Sequence, residues 1–270
     1  MNIEYSHFWL QKAGNSASAY EDNFFPYKYP FGINPHNQKN IKRYVIADGA
    51  STAYLSGLWA TVLVEGFGAY GDEITDTNFF DLIQTVILNE NWNPRLANYI
   101  QKRADGGKPL SWYDEVALQK GAASTLLEIS FSFDENELQD KFSTLAIGDS
   151  CLFQVRNDEL ITKFPLNSSA DFDNFPSLIS SDPKRNVNLH EKIEYRENMS
   201  IISGDQLFLM TDALASWFLQ EHEKGEKPWK IIGEIVVEKS GFMDWIEQLR
   251  ENNLMRNDDV TLMILEIQGD

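Results

Sequence analysis

The sequence predicts an α+β fold, because its strand-like and helix-like segments are segregated along the chain and do not simply alternate. Strand-like runs are rich in β-branched and aromatic residues and are bounded by Gly, Asp, Asn or Ser. They occur at 41–47, 123–131, 142–147, 152–156, 206–210 and 260–267. Helical periodicity falls into one block after the first strands and another near the C-terminus. This order favours helices packed on antiparallel sheets.

The first helical block is predicted from two apolar stripes. The first stripe has spacings of i, i+3, i+4, i+7, i+8 and i+12, and comprises Leu55, Leu58, Trp59, Val62, Leu63 and Phe67. The second repeats this pattern from Phe79 to Ile87. Such spacing is typical of one face of a helix. Further helices are expected at 213–220, 229–237 and 242–250.

The segment 142–164 predicts an antiparallel meander of three strands, with turns at Gly148-Asp149 and Asn157-Asp158. The following stretch, 164–200, is polar and contains Pro165, Pro176 and Pro183. A long loop inside a compact domain is usually functional or mobile. We interpret 164–200 as a loop-rich flap over one edge of a single domain that spans 1–270.

Composition narrows the class of protein. Acidic residues outnumber basic ones 41 to 23, giving a formal charge of −18, which disfavours nucleic acid and anionic membranes as partners. The single cysteine, Cys151, excludes an internal disulfide framework and fits a reducing compartment. No segment has the pattern of a signal peptide or a membrane span. We therefore expect a cytoplasmic protein.

Acidic residues recur at the ends of the predicted strands. Asp48 ends the first strand and precedes Gly49, Asp149 follows Gly148, and Asp212 follows 206–210. Asp258 and Asp259 precede the last strand, and Glu21-Asp22 leads into an aromatic run. Each of these alone has an ordinary explanation as a turn residue or helix cap.

Taken together, these residues predict a cation site. Strands that end in aspartate at one sheet edge would bring carboxylates together, and like charges raise one another's pKa unless cations neutralise them. Few basic residues are near in sequence, and Arg256 is the nearest. Mg²⁺ and Mn²⁺ prefer oxygen ligands, and Gly49 would allow a backbone carbonyl to approach an ion.

Other chemistries lack the residues they need. The four histidines are scattered and there is only one cysteine, which argues against zinc. The sequence contains neither a Gly-x-Ser-x-Gly elbow nor a Gly-x₄-Gly-Lys-Ser/Thr loop. Cys151 and Arg156 are one residue too close for the phosphate loop of thiol phosphatases. Any chemistry is therefore expected to come from the carboxylates.

The order of these motifs resembles the protein phosphatase 2C family of metal-dependent Ser/Thr phosphatases, and the bacterial members in particular. The resemblance covers nearly the whole chain and is carried by Glu21-Asp22, IADG at 46–49, GAAST at 121–125, GDS at 148–150, MTDAL at 210–214 and NDDVT at 257–261. It implies a four-layer α-β-β-α sandwich of two antiparallel sheets flanked by helices. It also implies a binuclear Mg²⁺ or Mn²⁺ site at one end of the sandwich.

The resemblance further implies a role for each acidic residue. Asp48 would bridge two ions, and the Gly49 carbonyl would bind one of them. Asp212 and Asp258 would complete the protein ligands of the other ion, and Glu21 and Asp22 would act largely through bound waters. Asp149, with Asp212, would hold a third and weaker ion. Asp259 stands where the family usually has asparagine.

One departure concerns substrate binding. The family usually has a phosphate-gripping arginine four residues before the first Glu, where this chain has Ala17. Lys12, Asn15 or Ser16 could contact the phosphate instead, with Lys12 the better electrostatic candidate. Lysine lacks the bidentate fork of arginine, so recognition would be looser.

Three functions remain open from the sequence. The leading hypothesis is a phosphatase that acts on Ser/Thr phosphoproteins, linked to a Ser/Thr kinase, with Asp48 and Asp212 holding the metal-activated water. A small-molecule phosphomonoesterase is the second. The third is a metal-binding regulatory module with weak catalysis, which the missing arginine favours and the full ligand set opposes.

Overall fold

The computed structural model describes residues 2–26, 41–70, 74, 78–132, 140–173, 175–237 and 239–269. Within these ranges the strands are β1 (Asn2–Leu10), β2 (Asn23–Phe25), β3 (Ile41–Ala47), β4 (Ala123–Ser124), β5 (Leu126–Ser132), β6 (Lys141–Ile147), β7 (Cys151–Arg156), β8 (Glu159–Phe164), β9 (Ile179–Ser180), β10 (Glu194–Ser200), β11 (Gln206–Met210) and β12 (Val260–Gln268). The α-helices are α1 (Ser56–Ala69), α2 (Phe79–Asp81), α3 (Asn93–Asp105), α4 (Trp112–Gln119), α5 (Asp212–Glu223), α6 (Pro228–Ile235) and α7 (Lys239–Glu251).

The strands form two five-stranded antiparallel sheets and one small pair. The first sheet has the order β1-β12-β11-β7-β8, and the second has the order β10-β6-β5-β3-β2. The pair joins β4 to β9. The α+β prediction is confirmed.

The two sheets pack face to face around a shared apolar core. Along β3, Tyr44 and Ile46 face this inter-sheet core, whereas Val45 and Ala47 face a helical layer. This alternation follows from the two-residue period of a strand. Leu209 and Met263 are buried against the same core from the first sheet.

Helices cover both outer faces. The apolar stripe of α1, centred on Trp59 and Leu63, packs on the second sheet. On the first sheet, α5, α6 and α7 bury Phe218, Ile232 and Phe242. The result is a four-layer α-β-β-α sandwich, as the resemblance implied.

The predicted meander over 142–164 is wrong. β6 pairs with β5 in the second sheet, whereas β7 pairs with β11 in the first, so the chain changes sheets at Gly148. Gly148 adopts φ +102°, a conformation that favours glycine. Only the β7–β8 hairpin remains, with Asn157 and Asp158 both at positive φ as expected for a tight hairpin.

The stripe that begins at Phe79 is helical, but Leu82–Trp92 has π-helical hydrogen bonding between α2 and α3. The polar segment 164–200 contains short 3₁₀ turns, β9 and β10, and its Ile179 is fully buried. Whether this segment moves over an edge stays a prediction. No helix in the described part of the chain has the length and apolarity needed to cross a bilayer.

Candidate metal centre

The strand pairings bring the acidic residues to one end of the sandwich. Asn23 pairs with Ala47 in the second sheet, so Asp22 and Asp48 lie next to one another just beyond the paired residues. In the first sheet Met210 pairs with Cys151, which places Asp212 and Asp149 two positions further along. Residues opposite one another in an antiparallel pair have Cβ atoms about 5 Å apart.

The register between β1 and β12 brings Lys12 next to Asp258 in the same way. Leu10 pairs with Val260, so the register extends to Lys12 opposite Asp258. Their side chains form an ion pair of 3.6 Å between Nζ and Oδ1. Because β6 runs into β7 through Gly148, the carboxylate-bearing ends of both sheets lie at the same end of the molecule.

Asp22 connects the two sheets at this end. Its side chain is buried, and its Oδ2 accepts hydrogen bonds from the hydroxyls of Thr211 at 3.0 Å and Thr261 at 2.8 Å. Its Oδ1 is buried and has no hydrogen-bond partner among the described residues. A buried carboxylate oxygen without a donor is costly unless a cation or water binds it.

Asp48 and Gly49 are fixed by backbone contacts. The Asp48 carbonyl accepts the Thr125 amide at 2.9 Å and the Ser124 hydroxyl at 2.8 Å. A Cβ at Gly49 would lie 2.7 Å from the Glu21 carbonyl oxygen and 2.8 Å from the Ser56 carbonyl carbon. Only glycine therefore allows β3 to end this close to the first acidic motif.

The turn that carries Asp149 is tied to the end of β3. The Thr125 hydroxyl lies 2.9 Å from the Ser150 hydroxyl, and it accepts the Asp48 amide at 3.1 Å. A Cβ at Gly148 would approach the Thr125 side chain to 2.6 Å. Asp149 is held beside Asp48 by this network.

The two aspartates before β12 have different environments. Asp259 is buried, and its carboxylate accepts the backbone amides of Lys12 and Glu21. The Asp258 side chain is 30% exposed and makes ion pairs of 3.6 Å with Lys12 and with Arg256. The exposed carboxylate is the better ligand candidate, because that of Asp259 already binds two backbone amides.

Asp212 is the first residue of α5, and its carboxylate forms an ion pair with the guanidinium of Arg256. Glu21 accepts a hydrogen bond from the hydroxyl of Ser56, the first residue of α1. Ser16 is exposed, and its hydroxyl lies 2.8 Å from that of Ser18. Ala17 begins a short 3₁₀ turn beside Ser16, so no cation is contributed from this position.

The crowding of carboxylates changes their acidity. Burial, followed by the charge of Asp259, raises the pKa of Asp22 to about 8. Burial and the charges of Asp22, Asp149 and Asp258 raise the pKa of Asp48 well above its usual range. Burial is also the main cause that raises the pKa of Asp149 to about 6. Burial is the largest cause of all three pKa shifts, and repulsion by neighbouring carboxylates adds to it.

The donor chemistry fits a hard divalent cation. All candidate ligands are oxygens, and the orphaned Oδ1 of Asp22 and the carbonyl of the tightly confined Gly49 lie at the same end. Among the described residues, however, no three His, Cys, Asp or Glu groups enclose a single point as a complete ligand set. Ions that keep several waters, such as Mg²⁺, do not need a full protein cage.

Sequence reasoning missed several contributors to this site. Thr211 and Thr261 fix Asp22, and the charge of Asp173, from the segment 164–200, raises the pKa of Asp149. The threonines were visible in MTDAL and NDDVT, but their target lies 189 and 239 residues away in sequence. No sequence motif indicated that Asp173 lies near the acidic residues.

The fold is similar to that of several solved structures, phosphatases among them. The chain matches the catalytic domain of the serine/threonine protein phosphatase PstP, solved with two manganese ions, with 14% identity, 99% of each chain covered and a TM-score of 0.51. It matches PppA of Pseudomonas aeruginosa at 14% identity over 99% of this chain and 98% of that one, with a TM-score of 0.51. A variant of a bacterial serine phosphatase matches over all of both chains at 14% identity and a TM-score of 0.55.

No protein-family model matches the sequence, and neither does any curated protein. At these identities the structural matches establish the fold. The chain therefore has the α-β-β-α fold of protein phosphatase 2C catalytic domains, and the resemblance in the sequence motifs is confirmed at the level of the fold.

Proposed function

We propose that the chain is a divalent-metal-dependent phosphatase that hydrolyses phosphate monoesters on Ser/Thr phosphoproteins. One observation carries the proposal: the strand register brings Asp22 next to Asp48 and carries Asp149 and Asp212 to the same end of a protein phosphatase 2C fold. The PstP neighbour, solved with two manganese ions, supports Mg²⁺ or Mn²⁺ as the cofactor.

Asp48, the Gly49 carbonyl, Asp212 and Asp258 would hold the ions, with Asp22, Glu21 and Asp149 completing the site. When bound, such ions lower the pKa of a coordinated water and neutralise charge on the phosphoryl oxygens. The protein's own part is positional: Thr211 and Thr261 orient Asp22, and the Thr125 network holds Asp48. Cys151 is fully buried, which raises its thiol pKa and argues against a cysteine nucleophile.

A cytoplasmic location and a partner Ser/Thr kinase complete the proposal. The lone buried cysteine fits a reducing compartment. A kinase must supply the phosphoprotein substrate that this chemistry consumes.

The direct test is hydrolysis of p-nitrophenyl phosphate and of a phosphothreonine peptide in EDTA, Mg²⁺ or Mn²⁺. We expect activity only with a metal, and its loss in Asp48→Asn and Asp212→Asn. Activity that persists in EDTA would contradict the proposal. A preference for p-nitrophenyl phosphate with no peptide hydrolysis would favour the small-molecule phosphomonoesterase.

A regulatory module with weak catalysis is the second candidate, because Ala17 replaces the expected arginine and Arg256 is paired with Asp212. Calorimetric Mn²⁺ binding without hydrolysis of either substrate would favour this module. Wild-type turnover of the phosphopeptide would exclude it.

A further inference from the structure

A cavity of about 490 Å³ adjoins Asp212 on the side of α5. Its walls come from α5, from the end of α7, from the loop that leads to β12 and from the turn around 169–172. The lining is mostly polar and includes Asp212, Ser216, Gln220, Arg250, Arg256 and Asn257. The cavity wall thus contains two arginines, and the guanidinium of one of them, Arg256, is paired with the candidate metal ligand Asp212.

The two arginines are held differently. Arg250 is buried and donates to the carbonyl oxygens of Gln11 at 3.1 Å and Asp258 at 2.6 Å. Its Nε is buried and has no hydrogen-bond partner within the described ranges. The side chain of Arg256 is 48% exposed, and the ion pairs it makes with described residues are to the carboxylates of Asp212 and Asp258. Arg250 is therefore fixed by the fold, whereas Arg256 can exchange one anion for another.

The opposite side of the acidic site has no such cation. A second, more open cavity of about 590 Å³ is lined by Ala17, Glu21, Asp22 and uncharged neighbours, with no Lys or Arg among the described residues that line it. A phosphate dianion on that side would face Glu21 and Asp22 without a compensating protein charge. In the part of the chain that the structure describes, a cation that binds the phosphoryl group is therefore available on the side of α5 and not on the side of Ala17.

We propose that Arg256 is the phosphoryl-binding residue of this site and that the cavity beside α5 receives the phosphorylated side chain of the substrate. The inference rests on the proposed function. Arg256 would then take the phosphate-binding role of the arginine that is missing at Ala17, from the other side of the site.

Charge balance explains how Arg256 can pair with the two carboxylates in one state and with a phosphate in another. Without cations, the guanidinium neutralises Asp212 and Asp258. Divalent cations bound to these carboxylates would take over the neutralisation, and Arg256 would then be free to pair with an incoming phosphate. Its planar fork matches two phosphoryl oxygens, whereas an ammonium group offers only a point charge.

Lys12 is the competing candidate, because its ammonium also lies 3.6 Å from Asp258. It is not among the residues that line the cavity, and the register of β1 places it opposite Asp258 in the strand pair. The Lys12→Ala variant therefore serves as a comparison. It should weaken phosphate binding less than Arg256→Ala does.

The test uses the full chain loaded with Mg²⁺ and titrated calorimetrically with inorganic phosphate. We expect Arg256→Ala to weaken phosphate binding about 10- to 100-fold, the range for hydrogen bonds to a charged group. Arg256→Lys should fall between this variant and wild type. Arg185→Ala, which removes an exposed arginine with one long ion pair of 3.9 Å, is the matched control and should bind phosphate like wild type.

Steady-state hydrolysis of p-nitrophenyl phosphate and Mn²⁺ binding provide two further measurements. Arg256→Ala should raise KM more than it lowers kcat, and it should bind Mn²⁺ at least as tightly as wild type because a cation beside Asp212 is gone. Weaker Mn²⁺ binding would show that Arg256 only supports the carboxylates, and would overturn the inference.

The failures of the two proposals are distinguishable. Phosphate binding that depends on Arg256 in a protein that hydrolyses nothing would support this inference and contradict the phosphatase. Hydrolysis by wild type, with phosphate affinity and KM unchanged in Arg256→Ala, would overturn the inference and leave the phosphatase intact. Wild-type protein that binds no phosphate would also overturn it.

Discussion

The carboxylate of Asp259 accepts the backbone amide of Glu21 at 2.6 Å, and through its other oxygen it accepts the amide of Lys12, also at 2.6 Å. One buried side chain thus connects β12 to the end of β1 and to the first acidic motif. The residue next to it, Asp258, accepts the amide of its own neighbour Asp259 at 3.1 Å, and within the described part of the chain its carboxylate receives no backbone amide from another strand. Two adjacent aspartates therefore have separable roles in stability and in activity.

Asp259→Ala should destabilise the fold, because two partly buried amides lose a charged acceptor. Hydrogen bonds to charged groups contribute about 1.5–3 kcal/mol each, and burial of the Asp259 charge offsets part of that. We expect a net loss of about 1–3 kcal/mol in the free energy of unfolding. Urea denaturation in EDTA measures it without a contribution from bound metal. A variant as stable as wild type would show that the two contacts contribute little.

Asp258→Asn should have little effect on stability and a large effect on activity. Its ion pairs are partly exposed, so the free energy of unfolding should change by about 0.5 kcal/mol or less. Hydrolysis should fall by at least about 100-fold, since even the loss of an outer-shell partner costs 10- to 100-fold. Parallel urea denaturation and steady-state assays of both aspartate variants measure the contrast. Full activity in Asp258→Asn would remove this residue from the ligand set.

Asp48→Asn should stabilise the protein in EDTA. Burial and neighbouring carboxylates raise the pKa of Asp48, so its ionised form costs stability at every pH above the unfolded value of about 4. Removing the charge removes that cost. With Mg²⁺ present the order should reverse, because only wild type gains the full binding energy. Thermal unfolding of both proteins, with and without Mg²⁺, measures this reversal; an Asp48→Asn variant less stable than wild type in EDTA would contradict it.

Gly49→Ala should disrupt the site through the backbone. The added Cβ would meet the Glu21 carbonyl oxygen and the Ser56 backbone, neither of which can rotate away. Overpacking of this kind typically costs about 1–3 kcal/mol, and the first acidic motif should be displaced from the end of β3. Gly233→Ala is the matched control: a Cβ at this position of α6 would have nothing within 4 Å, and alanine in a helix should stabilise by up to about 1 kcal/mol. Thermal unfolding and Mn²⁺ affinity distinguish the two variants.

The strands whose bounds were predicted correctly are those whose burial is evident from the residues of the strand itself. β3 and β11 occur at the predicted residues 41–47 and 206–210, because the stretches 44–47 and 207–210 are apolar and buried. The candidate ligands were found for a related reason: each follows or precedes such a strand, and strand ends in one sheet meet at one edge. The pairing of Asp22 with Asp48 then followed from the register.

The remaining elements depend on long-range partners that local pattern does not encode. β10 is an exposed edge strand with a polar sequence, and it is recognisable only through its pairing with β6. The meander was misassigned because a turn at Gly148 looks the same whether the next strand joins the same sheet or the other one. The contact of Arg256 with Asp212 likewise spans 44 residues of sequence and depends on where α5 begins.

The β7–β8 hairpin offers a prediction on pH dependence. Hydrogen bonds from the ammonium groups of Lys227 and Lys230, together with the Trp229 indole, lower the pKa of Asp158. A lowered folded-state pKa contributes stability above the unfolded value of about 4 and loses it as the pH falls toward the folded value. Asp158→Asn keeps a residue that tolerates the positive φ at this position.

We therefore expect Asp158→Asn to be slightly less stable than wild type at pH 7, with the difference shrinking as the pH falls below about 4. High salt should shrink the difference at pH 7, because the partners are exposed and screened. Urea denaturation across pH measures both effects. A difference that grows on acidification would have the wrong sign for a lowered pKa.

Ala17→Arg tests whether the site lacks only a phosphate-binding cation on its open side. The position lies beside Glu21 and Asp22 in the second cavity, which has room for a long side chain at about 590 Å³. If the wild type is a weak regulatory module, the added arginine should raise hydrolysis of p-nitrophenyl phosphate from near zero. If Arg256 already binds the phosphoryl group, the same substitution should lower KM by no more than about threefold, because the contact is redundant. Ala17→Gln has a side chain of similar reach without the charge, so a gain shared by both variants would assign the effect to shape and not to phosphate recognition.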